Sequence, residues 1–305
     1  MMKALLNKPW FAVTGAILCT ALWGSAYPVI KYSYDKLNIT TVADKLAFAG
    51  ARFLIAGLMV FIAAWIKQRK PPTIPKRLIP GAALYGAVQT GLMYILNYIG
   101  VANTSATKTS ILTAASAFFA VLFAPLFFRD ERLTPWKIIG VICGFAGIIV
   151  VNTSGLDGGI TFTGEGLVLI ATVLNTAGGF IGKRVAKGRV FEMTAYQLLF
   201  GAALILLVAL PMGGSFVFSP ESLLLILYLA FVSAAAFSLW TALLTRHGAG
   251  RILVFNLLIP VFGTMWSYFL LGEQQIFDPM YPVSIVLITL GIILVNYNKN
   301  FQKPL

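Results

Sequence analysis

Ten apolar stretches of about 20 residues follow one another along the chain, and this restricts its folds more than any motif it carries. They fall at roughly 11–33, 42–66, 78–101, 106–128, 134–152, 163–183, 193–212, 221–243, 249–271 and 280–297. A bilayer core accepts about 20 residues as a helix. In lipid every backbone amide must find its partner inside the protein, so only helices and closed barrels span. A barrel alternates polar and apolar residues over strands of about 10, whereas these runs are continuous. Composition agrees: 59% of residues are hydrophobic and 11% charged, against about 25% charged in a soluble domain. So few charges cannot cover a water-facing surface. A soluble enzyme, a nucleic-acid-binding domain and a secreted disulfide scaffold are all excluded, and the fold class expected is an all-α integral membrane protein of ten transmembrane helices. Cys19 and Cys143 lie inside apolar runs and read as small packing residues.

The formal charge of +13 has a topological use. Cytoplasmic loops collect Lys and Arg. If the N-terminus is cytoplasmic, the inner segments hold Lys3, Lys8, Lys67, Arg69, Lys70, Lys76, Arg77, Arg129, Arg132 and Lys137. They also hold Lys183, Arg184, Lys187, Arg189, Arg246, Arg251, Lys299 and Lys303, which makes 18 of 23 cations. Lys31, Lys36, Lys45 and Lys108 stay outside, and Arg52 falls within the second run. Both termini are therefore expected in the cytoplasm, in a multi-pass protein of the cytoplasmic (inner) membrane. The basic flank at Lys3 and Lys8 has no small-residue cleavage site after it, so the first run reads as a retained helix.

The halves 1–152 and 153–305 echo each other. Run four ends in Phe128-Arg-Asp-Glu131 and leads to a run with Gly140, Gly144 and Gly147 that closes on Asn152. Run nine holds Pro260, ends in Leu271-Gly-Glu273 and leads to Gly291 and Asn296. Glu131 and Glu273 are 142 apart (273 − 131), Asn152 and Asn296 144 apart (296 − 152). Arg52-Phe-Leu-Ile-Ala-Gly is echoed weakly by Gln197-Leu-Leu-Phe-Gly-Ala. Five helices per half is an odd number, so the second half enters the membrane from the other side. Inverted repeats of this kind are a transporter architecture.

With Ala21-Leu-Trp23-Gly24-Ser25-Ala-Tyr27-Pro28 and Arg52-Phe-Leu added, the order of motifs resembles the EamA-type branch of the drug/metabolite transporter superfamily over essentially the whole chain. The resemblance implies a basket of helices around a central cavity and export of small metabolites, amino acids in some members, by a monomer or a homodimer. One departure stands out. The family often carries a proline in the middle of the fourth span, as Pro260 stands in the ninth, but here the stretch is Thr113-Ala-Ala-Ser116-Ala-Phe.

Polar side chains inside apolar helices tend to face a cavity or another helix. Helical spacing groups Thr109, Thr113 and Ser116 on run four, and Thr20, Trp23 and Tyr27 on run one. Run three offers Tyr85, Gln89 and Asn97, run six Asn175 beside Thr176, run eight Ser233, Phe237 and Trp240, and run nine Asn256 near Pro260. Each hydroxyl has a plain alternative, a bond to its own i−4 carbonyl, and each tryptophan another, lipid or core. Aromatic faces with uncharged donors and acceptors suit a small amphipathic solute. Lys108, one residue before the run-four stripe, is either a snorkelling cation or a carboxylate contact. Arg52 reads as a clamp on backbone carbonyls or helix C-termini, or as a contact to a substrate anion. Glu131 and Glu273 read as caps and braces of the helix starts beside them.

Asp44, Glu165, Glu221, Glu273 and Asp278 sit at outer helix ends, and no run has an acid at mid-depth. The expectation is a facilitator or substrate-driven exporter, or one that couples protons through a carboxylate of the solute. His247, the single histidine, reads as a loop residue. An intramembrane enzyme would need paired acids or several histidines at membrane depth. No cofactor or metal is expected; the partners are a small-molecule substrate and the bilayer, not nucleic acid. An exchanger of phosphorylated metabolites or nucleotide sugars stays open, though it calls for several cavity cations, as does a non-transporting sensor or scaffold.

Overall fold

The computed structural model of the chain describes residues 6–104, 106–151, 160–215, 219–273 and 277–297. The apolar runs form the helices, because in lipid the backbone amides must pair within the segment. The helices are α1 Pro9–Lys36, α2 Val42–Gln68, α3 Lys76–Val101, α4 Ala106–Phe127 and α5 Pro135–Val151. The second half gives α6 Phe162–Val185, α7 Val190–Ala209, α8 Pro220–Leu244, α9 Ala249–Leu271 and α10 Met280–Asn296. Thr41 caps α2 by accepting from the Asp44 amide, and Ser219 and Ser222 form a reciprocal capping box on α8. Arg69 and Gly272 close α2 and α9 in the left-handed conformation. Among the described residues the regular structure is all helical.

Eight helices are long and apolar enough to cross a membrane, while α5 and α10 are shorter apolar helices. Each of these two has 17 residues, about 25 Å of helix against a hydrocarbon core of about 30 Å. Ten spans of equal standing are therefore not what the fold gives. Lys3, Asn152, Lys299 and Lys303, and with them the boundary between the proposed halves, lie outside the described residues.

Pro260 accounts for the interruption in α9. Pro260 cannot supply an amide to the Asn256 carbonyl, and α9 runs as a 3₁₀ turn over Val254–Leu257 before continuing as Leu258–Leu271. Helix α4, with Thr113 to Phe118 at that level, is a regular α-helix from Ala106 to Phe127. The difference read between runs four and nine is thus a difference in backbone. Helix α3 has its own irregularity, a π-helical stretch at Ala87–Leu92 that buries Gln89, Thr90 and Gly91; such bulges concentrate at functional sites.

The packing repeats when α1–α5 are exchanged for α6–α10. Helix α1 packs on α8 and α9 as α6 packs on α3 and α4, and α2 packs on α8 as α7 packs on α3. Helices α2, α4 and α5 each pack on their own counterparts α7, α9 and α10. Gly50 faces Leu206 while Gly57 faces Leu199, so α2 and α7 run antiparallel. Gly140 faces Val295 while Gly147 faces Ser284, so α5 and α10 do too. The small-residue step of α5 is used against α10 of the same chain. A Cβ at Gly140 would stand 2.7 Å from the Gly291 carbonyl oxygen. Lipid provides no hydrophobic drive between helices, so such close backbone approach is how they associate. One buried core joins α1, α4, α8, α9 and α10 around Ala117, Leu243, Phe255 and Ile288. A second joins α2, α7 and α8 around Phe53, Leu198, Ile205 and Ala230.

Candidate functional site

The last turns of α1 and the start of α2 enclose an open cavity of about 450 Å³ lined by Tyr27, Lys31, Tyr34, Asp35, Thr40 and Lys45 among others. Lys45 Nζ lies 5.3 Å from the centre of the Tyr34 ring. Below this mouth an aromatic path descends through the bundle. Tyr98 meets Tyr94 at 6.2 Å between ring centres, and Tyr94 meets Phe53 at 4.6 Å. Phe53 meets Phe237 at 6.4 Å, Phe237 meets Trp23 at 5.3 Å and Trp23 meets Trp240 at 5.0 Å. Four helices, α3, α2, α8 and α1, supply the rings. The sequence singles out Trp23, Tyr27, Phe237 and Trp240 but not Tyr34, Phe53, Tyr94 or Tyr98. The i, i+4 step from Tyr94 to Tyr98 beside the Arg52-Phe53 pair was the available signal, and in so aromatic a chain it does not stand out.

Arg52 lies against the head of this path and is 4% exposed. Its guanidinium carbon sits 4.4 Å from the Phe53 ring centre and 5.7 Å from that of Tyr94. The hydroxyls of Tyr27, Tyr34 and Tyr94 lie within its electrostatic reach. Arg52 Nε is buried with no hydrogen-bond partner, while the Tyr94 hydroxyl is a hydrogen-bonding neighbour of the guanidinium, as Tyr98 is of Tyr34. Rings, rather than the carbonyls of a backbone clamp, surround this cation. A desolvated cation–π contact is worth about 2 kcal/mol, whereas burying an ion costs several kcal/mol even after relaxation. The rings offset only part of that cost.

A second polar cluster sits on the π-helical stretch of α3. Gln89 Nε2 donates to Asn175 Oδ1 of α6 at 2.8 Å, and Gln197 of α7 donates to the Thr90 hydroxyl. Gln89 Oε1 and Gln197 Oε1 remain buried without donors. Gly178 leaves the room that Gln89 fills; a side chain there would overlap the amide. Gln89→Leu should strand the Asn175 amide and cost about 1–3 kcal/mol, while the double change with Asn175→Leu should recover much of the loss. Thermal unfolding of the purified variants tests this, and additive losses would dismiss the pairing.

The ends of the bundle are tied by lysine–glutamate pairs. Glu131 does not cap the neighbouring helix start; Thr134 does that, accepting from the Lys137 amide at 3.3 Å. Glu131 accepts instead from the Ala249 and Gly250 amides at the start of α9, where a helix dipole favours negative charge. It also pairs with Lys183 of α6 at 3.2 Å and with Lys137 at 3.8 Å. At the other end Glu273 pairs with Lys31 of α1 at 2.6 Å, and Asp278 rather than Glu273 accepts from the amide at the start of α10. The first tie is closed to solvent, with side chains 13% and 4% exposed for Lys183 and Glu131. The second is open, at 61% and 27% for Lys31 and Glu273. Lys108 is neither snorkelling nor an open carboxylate contact: it pairs with Glu165 at 3.1 Å. That carboxylate also accepts from the Thr104 hydroxyl and the Thr161 amide.

The remaining candidates divide. Thr113 bonds the Thr109 carbonyl, and Ser233 bonds the Leu229 carbonyl, each on its own helix. The Ser116 hydroxyl is buried without a partner, while its carbonyl accepts from Thr176 across the α4–α6 contact. Tyr85 is buried and meets Thr241 of α8 at 3.1 Å. Asn97 is half-buried on α3, and Asn256 is buried in the 3₁₀ turn before Pro260. His247 bonds the Leu6 carbonyl at 2.8 Å; burial holds its pKa below the ordinary imidazole value, with the Leu6 bond opposing.

The model of the EamA-like transporter family matches residues 10–153 and again 162–297. The chain is 26% identical to an uncharacterized transporter of Archaeoglobus fulgidus over 85% of its own length and 89% of the relative's. It is 26% identical to the uncharacterized transporter YvbV of Bacillus subtilis over 92% and 90%. A solved crystal structure superposes with a TM-score of 0.78 over 95% of this chain and 97% of the other at 18% identity, a likeness of fold.

Proposed function

Since the chain belongs to the EamA-like transporter family, we propose that it exports small amphipathic organic metabolites across the cytoplasmic membrane by alternating access. The carrying observation is the exchange symmetry of the packing, with α2 against α7 and α5 against α10 in opposite directions. Two inverted five-helix halves, 1–152 and 153–305, would have that symmetry and two states of similar energy. The Lys–Glu ties support the same reading. Lys31 and Lys183 are 152 apart (183 − 31), the offset between the starts of the two family matches (162 − 10). The ties are then the same device at opposite ends, buried at the Glu131 end and exposed beside the cavity at the other. That is the pattern of a carrier open at its outer face. The buried carboxylates among the described residues, Glu131 and Glu165, are at helix ends and paired with lysines, which favours a facilitator or an exporter driven by its solute.

Uptake into proteoliposomes of a panel of amino acids, drugs and phosphorylated metabolites, with and without a pH gradient, is the test. Expected is saturable flux of some amphipathic solutes above empty liposomes, without acidification of the trans compartment by a solute that has no titratable group. Absence of flux for the whole panel would end the transporter reading. Topology is checked in cells by single cysteines in a background lacking Cys19 and Cys143. Cysteines at Thr40 and Asp278 should react with an impermeant thiol reagent outside, and those at Lys70 and Lys187 only after lysis.

A further inference from the structure

Arg52 is a permanent cation enclosed by rings, with a free Nε and, among the described residues, no carboxylate paired to it. The other cations toward this end are committed or peripheral. Lys108 is paired with Glu165 and Lys31 with Glu273, while Lys45 stands over Tyr34 at the mouth, where Asp35 also lines the cavity. We propose that Arg52 and the hydroxyls around it bind the carboxylate of the transported solute, so that the substrates are organic monoanions or zwitterions with a flat apolar body. This rests on the transporter reading above and adds the substrate class.

The chemistry selects that class in two steps. A guanidinium presents a planar fork that matches a carboxylate, and tyrosine hydroxyls donate to the same oxygens. Tyr27 and Tyr34 connect the cavity to Arg52, so an anion entering from the mouth meets them first. The rings of Phe53 and Tyr94 flank Arg52, and those of Phe237 and Trp23 continue from Phe53 into the packed bundle, apolar surroundings that favour an aryl or branched aliphatic group over a polar one. A single guanidinium balances a single charge. A phosphate ester would bring a second charge, and Lys31 and Lys108 are already paired with Glu273 and Glu165. The same carboxylate would accept from the free Arg52 Nε and balance the buried charge, which a neutral solute cannot do.

The test uses the purified full-length protein in detergent, with phenylacetate, its neutral isostere phenylacetamide, and phenyl phosphate as probes. Quenching of tryptophan fluorescence, to which Trp23 and Trp240 contribute, reads binding. Phenylacetate should bind about tenfold or more tighter than phenylacetamide. Arg52→Met should erase that preference, and Arg52→Lys should keep part of it. Equal wild-type affinities for acid and amide, absence of saturable phenylacetate binding, or a preference that survives in Arg52→Met would each overturn the assignment. A preference for phenyl phosphate over phenylacetate would overturn the carboxylate. The wild-type comparison decides even if Arg52→Met does not fold. In proteoliposomes, flux of neutral and anionic solutes alike would sink this inference alone, whereas no flux of any solute would sink the transporter reading and leave binding at Arg52 intact.

Discussion

Glu131→Ala is expected to lower stability by about 3–5 kcal/mol, the range for removing one member of a buried ion pair. The loss is large because the carboxylate serves four partners at once: the Ala249 and Gly250 amides, Lys183 and Lys137. Its removal leaves two nearly buried ammonium groups and a helix start without an acceptor. Glu131→Gln retains an acceptor but not the charge and should cost less, about 2 kcal/mol. Glu273→Ala, which breaks the exposed pair to Lys31, should cost about 1 kcal/mol or less. Thermal unfolding of the three variants in one detergent orders them. If the two alanine variants lost the same amount, the closed and open ties would be energetically alike, contrary to their burial. Removing the buried tie should also favour opening at that end. A cysteine placed at Tyr34 should then react more slowly in Glu131→Ala than in the parent.

Gly140→Leu is the second large effect. Even a Cβ would stand 2.7 Å from the Gly291 carbonyl oxygen and 2.8 Å from the Val295 nitrogen. These are backbone atoms that cannot rotate aside. Forcing extra carbons into a packed contact costs about 1–3 kcal/mol, and in lipid no gain in apolar burial opposes it, because the separated helices are as well solvated. Loss of the folded fraction in size-exclusion profiles and of transport in proteoliposomes is expected. Gly81→Ala is the control: its Cβ would meet Val185 at an ordinary 3.4 Å, so no measurable change is expected. A Gly140→Leu protein with parental melting behaviour would show that α5 and α10 separate more readily than their contact implies.

The helices were legible because lipid imposes one rule on every residue of a span, and residues such as Leu207 and Leu224 obey it on the outside as Leu198 does within. For the same reason the run boundaries fell within about 3 residues of the helices, while the shortness of α5 and α10 passed unnoticed among equally apolar neighbours. Pro260 was legible as a backbone event since its missing amide acts locally. The aromatic path was not: Phe53, Tyr94 and Tyr98 differ from lipid-facing rings only in the direction they point. Nor was the partner of Lys108, which stands 57 residues away (165 − 108), or Lys183, which Glu131 meets from 52 residues away (183 − 131). Charges declare themselves in a sequence; the distance over which they pair does not.

The glycine faces of α2 and α5 are completed by α7, α9 and α10. Neither set of five helices therefore owns a finished surface. A polypeptide severed near its midpoint would yield two fragments that are each defective in the bilayer and competent when made together, and an ancestor encoding a single such unit would have had to work as a pair.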